Sequence, residues 1–431
     1  MIVGMLTAMP TAALPPTPQA TPATRERGDA CPGALRLHAA DDGALARVRL
    51  PGGVLTLGQA AALGRVARRL GDGDLHLTSR GNVQLRGLAA GCGGELAEAL
   101  DAAGLLPSRE HERVRNIVAS PLSGLDGEGV RDVRPWLTAL DAALCGSDAA
   151  RGLSGRFLFA LDDGRGDVAG LGADVTVRAI RDGAAWLTPG SVRVAVDDAP
   201  LAALVAAETF LQAARSHTAH TWRVSELPLP EGELDRLIRD RLTAAGIAHD
   251  EGPEPVGSAD GPAPGVVGEA LSAHVPLGRL SALQWEALTM VADTELRLTP
   301  WRGVVVPTVA ATAARVSESL ERLRAAGLVT DPASPWLRVG ACIGRPGCAK
   351  AHADVRADVA RTLEATGRPA LPLYWSGCAR RCGHPSGEHV DVLATPEGGY
   401  RLSVAPAGGE TRTASAADPS RMGAALAAII S

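Results

Sequence analysis

Four cysteines in the last quarter of the chain are the residues best suited to chemistry. Cys342 and Cys348 lie in ACIGRPGCAK, and Cys378 and Cys382 lie in WSGCARRCGHP. The pattern is C-x5-C, a gap of 29 residues, and then C-x3-C. Four thiolates that converge from two loops form a soft, negatively charged site, which suits an iron–sulfur cluster or zinc.

The spacing of these cysteines favours the cluster. Structural zinc usually takes pairs that stand about two to four residues apart, so a C-x5-C pair is wide for zinc and fits a loop around a larger cluster. Each pair is also predicted to open a helix, whose free N–H groups would stabilise an anionic cluster. Zinc is the alternative, and a disulfide is the least favoured because nothing in the sequence indicates export.

The elements that position the cysteines belong to a chain of ordinary globular composition. Its 431 residues are 46% hydrophobic and 21% charged, with a formal net charge of −5, which argues against nucleic acid as a partner. No apolar run is long enough to span a membrane. Residues 1–28 are rich in Pro, Thr and Ala and lack a basic start, so we expect a disordered leader, no export signal and a cytoplasmic protein.

The chain contains an internal repeat. Residues 48–88 and 274–308 align with one four-residue gap. Each copy carries a capping box, T-x-x-Q at Thr56 and S-x-x-Q at Ser281, then an amphipathic helix and an alternating strand, LHLTS or LRLTP. Two copies so far apart indicate a duplication and a pseudo-two-fold molecule. The predicted divisions are a first repeat unit at 29–90, a lobe at 108–225, a linker at 251–270, a second unit at 271–330 and a cysteine-bearing lobe at 331–431.

These features together resemble the nitrite/sulfite reductase superfamily. The resemblance runs over nearly the whole chain after residue 28 and includes LTSRGNVQLRG, RNIVASP and the cysteine signature. It implies an α+β fold with a pseudo-two-fold duplication, in which two half-ferredoxin-like units accompany two larger α/β lobes. It also implies that Cys342, Cys348, Cys378 and Cys382 hold a 4Fe–4S cluster beside a tetrapyrrole.

Within the superfamily the chain is most similar to the precorrin-3B synthase family of aerobic cobalamin biosynthesis. The similar segments are ACPGALRL, NIVASPLSGLDG, FALDDG and SGCARRCGHP. The resemblance implies an O2- and NADH-dependent monooxygenase that hydroxylates precorrin-3A at C20 and closes a γ-lactone. The alternative is a sirohaem-dependent nitrite or sulfite reductase, although Arg156-Phe157-Leu158 replaces the K-x-K pair of those enzymes and keeps only one cation. A non-catalytic tetrapyrrole-binding or electron-transfer protein is a second alternative, and a zinc-stapled structural protein is the third.

The anion-binding residues must be arginines, because Lys350 is the chain's only lysine. By the resemblance, the tetrapyrrole carboxylates are held by a set of polar residues: Arg80, Arg86, Arg115, Asn116, Arg156 and Arg302. Each arginine has a plainer interpretation as a solvated strand end or sheet-edge charge. Arg113 is placed on the same strand face as Arg115 and its role is left open. Cys31 is predicted to be a buried structural thiol.

No residue is assigned a catalytic role from the sequence. The family implies a mononuclear non-haem iron centre, for which His76, His352, His384 and His389 are candidates, each of which also fits an ordinary surface or core histidine. No G-x-G-x-x-G fingerprint follows a strand and opens a helix, so electrons are expected from a separate reductase or ferredoxin.

Overall fold

The structure, a computed structural model, describes most of the chain. The described residues are 29, 31–216, 221–308, 311–385, 387–405 and 410–430. The leader predicted over residues 1–28 lies outside them.

The regular elements of the described residues alternate along the chain. The helices are α1 (Leu57–Leu70), α2 (Gly93–Ala102), α3 (Arg134–Gly146), α4 (Ala199–Arg215), α5 (Glu233–Ala244), α6 (Ala282–Val291), α7 (Ala313–Ala325), α8 (Val355–Thr366) and α9 (Met422–Ile430). The strands are β1 (His38–Ala40), β2 (Gly43–Val48), β3 (Val54–Thr56), β4 (Leu75–Leu77), β5 (Val83–Leu88), β6 (Ile117–Ala119), β7 (Phe159–Asp162), β8 (Val175–Ile180), β9 (Ala184–Thr188), β10 (Val192–Ala195), β11 (His249–Asp250), β12 (Gly265–Val267), β13 (Ala270–His274), β14 (Arg279–Leu280), β15 (Glu295–Leu298), β16 (Gly303–Pro307), β17 (Val339–Ala341), β18 (Leu373–Ser376), β19 (Val390–Ala394), β20 (Tyr400–Val404) and β21 (Arg412–Ala416).

The two predicted capping boxes are present and begin equivalent helices. The Thr56 hydroxyl accepts a hydrogen bond from Gln59 N, and the Gln59 side chain accepts one from Thr56 N. Ser281 and Gln284 form the same reciprocal pair at the start of α6. Each box satisfies two N–H groups that the first turn of a helix leaves unpaired, which fixes where α1 and α6 begin.

The two repeat units exchange a strand. The first half-unit sheet has the order β1-β2-β5-β4-β14, and the second has the order β12-β13-β16-β15-β3. Strand β3 therefore comes from the first copy but pairs with β15, with Leu55 opposite Leu296. Strand β14 comes from the second copy and pairs with β4, with Leu280 opposite Leu75. The repeat thus gives a pseudo-two-fold body in which each sheet is completed by the other copy.

One hydrophobic core joins the two half-units. The helices α1 and α6 pack against each other, and Trp285 on α6 is almost fully buried there. Its Nε1 donates to the Ala60 carbonyl at 2.9 Å. A Cβ atom at Gly64 would lie 2.8 Å from the Trp285 ring, so a glycine is needed for this close approach.

Two lobes carry the remaining sheets. The first lobe has the order β11-β10-β9-β8-β7-β6, with β6, β7 and β8 parallel, and packs α3 and α4 around Phe157, Phe159 and Phe210. The second lobe has the order β17-β18-β19-β20-β21, with β17, β18 and β19 parallel, and packs α8 and α9 around Trp375 and Tyr400. Helices therefore cover mixed sheets in both lobes, as in an α+β protein.

Three local predictions differ from the structure. The described residues between Cys382 and β19, which are 383–385 and 387–389, form no helix, and β19 begins at Val390. Helix α8 begins at Val355, where the Asp354 side chain caps it, and not at Cys348. Arg113 lies in a turn, since Val114 N donates to the His111 carbonyl, and so it does not share a strand face with Arg115.

The predicted linker is partly ordered by its neighbours. The Arg178 guanidinium of β8 donates to the carbonyls of Pro255 and Gly257 at 3.2 and 3.0 Å. Strand β12 lies inside the predicted range and pairs with β13. Among the described residues, every helix is too short or too polar to cross a lipid bilayer.

Candidate functional site

The four cysteines of the second lobe lie on two neighbouring loops. Cys342 follows β17 directly and Cys348 lies farther along the same loop, before α8. Cys378 and Cys382 lie on the loop after β18, which is parallel to β17. The carboxyl ends of adjacent parallel strands meet at one edge of a sheet, and this brings the two pairs together.

The four thiols are free and lie close enough together to affect one another's pKa. Burial raises the pKa of Cys382 above its usual value, and the other three cysteines raise it further. Burial likewise raises the pKa of Cys342, while the backbone N–H groups of Gly377 and Gly344 oppose that shift. Four such thiols need a positively charged centre to hold them as thiolates together.

The backbone around Cys342 is arranged for a thiolate. Gly377 N donates to Cys342 Sγ at 3.2 Å, and His352 N ties the two loops by donating to the Gly377 carbonyl at 2.8 Å. The buried Arg356 guanidinium donates to the Cys342 carbonyl at 3.2 Å. Sulfur ligands with N–H donors and a nearby cation fit an iron–sulfur cluster, whose reduction potential depends on such contacts.

A large cavity of about 1570 Å³ opens beside the second cysteine pair. Ordinary small-molecule pockets measure about 300–1,000 Å³, so this one is large enough for a macrocycle. Its wall combines the first half-unit, the first lobe and the second lobe. The lining residues include six arginines and three carboxylates: Arg47, Arg80, Arg156, Arg223, Arg380 and Arg381 with Asp29, Glu226 and Asp391. The excess of cations favours an anionic ligand.

Three arginines of the first half-unit, Arg47, Arg49 and Arg80, lie close enough together at the cavity wall to repel one another. Burial, followed by Arg223 and Arg47, lowers the pKa of Arg80 to about 10. Burial and the adjacent Arg47 lower the pKa of Arg49, which lies behind the wall, to about 9. Among the described residues, no hydrogen-bond partner reaches Nε or Nη1 of Arg49 or Nε of Arg47. Buried like charges with unsatisfied donors are stabilised when carboxylates enter.

Two of the predicted substrate residues line this cavity. Arg80 is one, and its guanidinium also donates to the Gly155 carbonyl at 3.5 Å. Arg156 is the other, with its guanidinium 5.1 Å from the ring centre of Trp222. Leu158 also lines the cavity and adds an apolar surface there.

Three other predicted residues lie outside the wall and make structural contacts. Arg86 forms a bidentate pair with Asp42, with both distances 2.7 Å, and donates to the Gly347 carbonyl in the cysteine loop. Arg115 forms a bidentate pair with Asp141 at 2.7 and 2.6 Å. Asn116 is buried, where its amide oxygen accepts from Asn82 and its amide nitrogen donates to the Phe157 carbonyl.

Arg302 stands in the turn of the second copy that matches the turn at Gly81. Gly81 N donates to the Thr78 carbonyl, and Arg302 N donates to the Thr299 carbonyl in the same way. Gly81 and Arg302 both have a left-handed backbone conformation, with φ of 66° and 58°. The Arg302 guanidinium donates to the Tyr374 hydroxyl in the second lobe. Arg302 therefore contacts that lobe and is not among the residues that line the cavity. The two copies therefore differ at this position.

Two of the four candidate histidines lie together. His384 and His389 both line the cavity, and their Nε2 atoms are 2.9 Å apart. His76 is buried near Asp72, and His352 is exposed near the cysteine loops.

Several cavity residues were not identified from the sequence. Arg47 and Arg49 are two positions apart in an extended segment and so share a face, and this spacing is visible in the sequence. Arg223 and Trp222 carry no local signal, because only tertiary packing brings their loop to the wall. Cys31, predicted to be a buried structural thiol, is half-buried and lines the cavity.

Comparisons with known proteins agree with this architecture. The family described as the nitrite/sulfite reductase ferredoxin-like half domain matches residues 38–103. The chain is 29% identical to a precorrin-3B synthase from a Sinorhizobium species, over 97% of this chain and 92% of the relative. It is 26% identical to the chloroplastic ferredoxin–nitrite reductase of Betula pendula, over 78% of this chain and 65% of that protein.

A solved structure shares the fold. The Mycobacterium tuberculosis NirA protein superposes with a TM-score of 0.69 at 18% identity, covering 88% of this chain and 79% of that one. The predicted fold class is thereby confirmed. With duplicated half-ferredoxin-like units, two lobes and a matching half-domain sequence, the chain has the fold of the nitrite/sulfite reductase-like proteins and is similar to them in sequence.

Proposed function

We propose that this protein is an oxidoreductase that acts as a precorrin-3B synthase. The observation that carries the proposal is the large arginine-lined cavity directly beside a four-cysteine site. The similarity to the Sinorhizobium enzyme over nearly the full length of both chains supports the choice within the superfamily. The proposed reaction is the O2-dependent hydroxylation of precorrin-3A at C20 with closure of a γ-lactone.

The proposed substrate fits the chemistry of the wall. Precorrins carry acetate and propionate groups around a reduced tetrapyrrole, and guanidinium groups bind carboxylates with two parallel hydrogen bonds. We assign Arg47, Arg80, Arg156 and Arg223 to these carboxylates, with Arg49 adding positive charge from behind the wall. Leu158, Leu171 and Trp222 offer apolar surface for the macrocycle.

The remaining predicted residues support this wall from outside the cavity. Arg86 holds the cysteine loop against the first half-unit through Gly347, and Arg302 contacts the second lobe beside that loop. Asn116 positions the Phe157 carbonyl directly after Arg156. Arg115 braces the segment before β6 through Asp141.

The four cysteines are proposed to hold a 4Fe–4S cluster. Such a cluster supplies electrons one at a time. Around it, Gly377 N–H and Arg356 stabilise negative charge at the Cys342 end. A separate reductase or ferredoxin in the cytoplasm would deliver the electrons, and NADH would be their source.

The nitrite or sulfite reductase alternative has one observation in its favour, which is the similarity to ferredoxin–nitrite reductases. A small oxyanion needs concentrated positive charge over the bound tetrapyrrole. Leu158 faces the cavity where those enzymes carry a second lysine, and this favours the larger substrate.

Anaerobic purification followed by iron, sulfide and sirohaem analysis tests the proposal. We expect about four irons and four sulfides per chain, a broad shoulder near ~400 nm and no haem bands. Added precorrin-3A, dioxygen and a reductant should then yield the hydroxylactone. Bound sirohaem with nitrite turnover would establish the reductase instead. A cluster and tetrapyrrole binding without oxygen consumption would identify a non-catalytic binder.

A further inference from the structure

A free thiol lies on the wall of the cavity, where the first half-unit meets the first lobe. Cys31 is half-buried and lines the cavity. Its backbone N–H donates to Asp29 Oδ1 at 2.9 Å, and Asp29 Oδ2 accepts from Gly155 N at 2.7 Å. These hydrogen bonds hold the thiol against the turn at Gly155. Among the described residues, the other two thiols outside the four-cysteine site, Cys92 and Cys145, do not line the cavity.

Two guanidinium groups converge on the same turn. Arg49 Nη2 and Arg80 Nη1 both donate to the Gly155 carbonyl, at 3.4 and 3.5 Å. A Cβ atom at Gly155 would lie 3.0 Å from Cys31 Cβ and 3.3 Å from Arg49 Nη2. Because Gly155 has no side chain to separate them, the thiol and the Arg49 guanidinium are neighbours.

The Arg49 side chain provides a second, independent indication of a ligand at this place. It is only 3% exposed, yet among the described residues no hydrogen-bond partner reaches its Nε or Nη1. The buried Nε of Arg47, which lines the cavity, has no such partner either. Buried donors without acceptors are costly, so an anion that enters beside Cys31 would be stabilised by both arginines.

The charges around the thiol favour its ionised, nucleophilic form. Burial lowers the pKa of Arg47, Arg49 and Arg80, and negative charge at Cys31 opposes that shift in each of them. The Asp29 carboxylate is also close, but its oxygens already accept hydrogen bonds from two backbone N–H groups and a serine hydroxyl. A partly exposed thiol among cations is the surrounding in which reactive cysteines are found.

We propose that Cys31 is a modification site for small disulfides that carry carboxylate groups. The Cys31 thiolate attacks one sulfur of the reagent, so that a new sulfur–sulfur bond forms at Cys31 and the bond within the reagent breaks. The second half of the reagent leaves as a thiolate, and the proton of Cys31 passes to the solvent. The disulfide is the oxidant in this step, and an added thiol reverses it. The half that stays attached places its carboxylate beside the unused donors of Arg47 and Arg49.

The adduct has a consequence for the cavity. It occupies arginines that the proposed function assigns to the substrate carboxylates, so modification of Cys31 excludes that substrate. This consequence rests on the proposed function, whereas the modification itself rests on the contacts of Cys31 alone.

Two disulfides of similar length and opposite charge test the site. Dithiodipropionate is a dianion and cystamine is a dication, and each is added to the anaerobically purified protein with its iron and sulfide intact. Mass spectrometry of the peptide that contains Cys31 gives the rate of adduct formation. The ratio of the dianion rate to the dication rate should be at least about tenfold higher at Cys31 than for N-acetylcysteinamide, a neutral free thiol, because a cationic cleft concentrates anions.

Arginine variants connect this preference to the structure. Arg47→Gln and Arg80→Gln should each lower the charge preference at Cys31 by at least about threefold, since each removes one nearby positive charge. The matched control is Arg236→Gln, which removes an exposed arginine of α5 and should leave the preference unchanged.

Two results would overturn the inference. One is a charge preference at Cys31 equal to that of the free thiol, and the other is the absence of an adduct at Cys31 with either disulfide. No tetrapyrrole and no turnover enter these rates. A failure to make the hydroxylactone therefore refutes the proposed function alone.

Discussion

The two lobes share a topology and differ in what their loops carry. In each lobe, the sheet contains three neighbouring parallel strands, which are β6, β7 and β8 in the first lobe and β17, β18 and β19 in the second. Ser120 follows β6 directly and Cys342 follows β17 directly, and the two residues occupy equivalent positions. Cys342 N donates to the Trp375 carbonyl at 3.0 Å, and Ser120 N donates to the Leu161 carbonyl at 3.1 Å. Gly377 N donates to Cys342 Sγ at 3.2 Å, and Asp163 N donates to Ser120 Oγ at 3.0 Å. Ser120 is therefore the counterpart of Cys342.

The loops around Ser120 are filled by ion pairs. Arg165 bridges Asp126 and Asp163 with hydrogen bonds of 2.6 to 2.8 Å, and all three side chains are at most 10% exposed. The Ser120 hydroxyl donates to Asp167 at 2.6 Å. One strand arrangement thus supports a four-cysteine site in one lobe and a buried salt-bridge network in the other.

The two half-units also share an arrangement of strands and differ in what fills the space beside them. By the register of the two sheets, Arg49 corresponds to His274 and Arg80 to Trp301. Arg80 lines the open cavity, and Arg49 lies behind its wall. In the second copy, the indole of Trp301 packs against Gly261, and the Ser272 hydroxyl donates to the Pro262 carbonyl at 3.5 Å. In the second copy, the chain that joins the halves therefore fills the position that is open in the first copy.

Among these predictions, Cys342→Ser should have the largest effect, which is on the iron and sulfide content. The substitution gives the second lobe the residue that the first lobe has at this position, Ser120. A hydroxyl is a poor ligand for iron in a thiolate site, so Cys342→Ser should lose iron and sulfide together. Metal and acid-labile sulfide analysis after anaerobic purification measures this. Ser120→Ala is the counterpart control and should retain both, and full retention by Cys342→Ser would remove Cys342 from the ligand set.

Arg165→Ala should destabilise the first lobe strongly. It leaves the carboxylates of Asp126 and Asp163 buried without their cation, a change that costs about 3–5 kcal/mol. Urea unfolding followed by circular dichroism measures it. Arg134→Ala, which breaks an exposed pair with Asp132, should change the free energy of unfolding by about 0–1 kcal/mol. Equal effects in the two variants would contradict the buried network.

Arg80→Ala should weaken tetrapyrrole binding. The loss of a charged hydrogen-bond donor to a carboxylate corresponds to about 1.5–3 kcal/mol, or roughly 10–100-fold in affinity. Fluorescence titration with a precorrin or a stable tetrapyrrole carboxylate reports the affinity. Arg236→Ala removes the same charge from the surface of α5 and should bind normally. Unchanged affinity in Arg80→Ala would exclude Arg80 from the residues that bind the tetrapyrrole carboxylates.

Asp167→Asn should give the smallest effect, and its sign depends on pH. Burial, with nearby Asp162, raises the pKa of Asp167 to about 7. The folded state therefore holds a proton that the unfolded chain releases near its ordinary pKa, so native stability falls as pH rises from about 4 to 7. The amide stays neutral, and at pH 8 the variant should be more stable than wild type by about 1–2 kcal/mol. At pH 4 the gain should vanish, and a pH-independent difference in urea unfolding would contradict the buried acid.

Local signals in the sequence were reliable where the contacts are local. The capping boxes at Thr56 and Ser281 involve residues three apart, and both are formed. The predicted helix after Cys382 failed because Gly383, Pro385 and Gly387 favour turns over helix. The superfamily resemblance supplied the duplicated fold, but the exchange of β3 and β14 between the sheets has no signature in either copy alone.

The site was predictable only in part for the same reason. The four cysteines proposed as cluster ligands can be recognised in the sequence by their spacing, whereas the cavity is assembled from three regions that are distant in sequence. Arg86 and Arg115 look like ligand-binding residues in the sequence, yet each guanidinium has a carboxylate partner in Asp42 or Asp141. Which arginine is paired and which faces the cavity is decided by packing, and the sequence does not report packing.

The strand exchange between the half-units limits how such a chain can evolve from a single copy and where it can be divided into two proteins. A chain with one copy would expose both β3 and the sheet edge that accepts its counterpart, and unpaired edges invite association. Two identical single-copy chains would satisfy each other through the same two pairings. The fold therefore resembles a domain-swapped dimer whose two copies are joined in a single polypeptide. Cleavage between the copies would leave each half without one strand of its sheet.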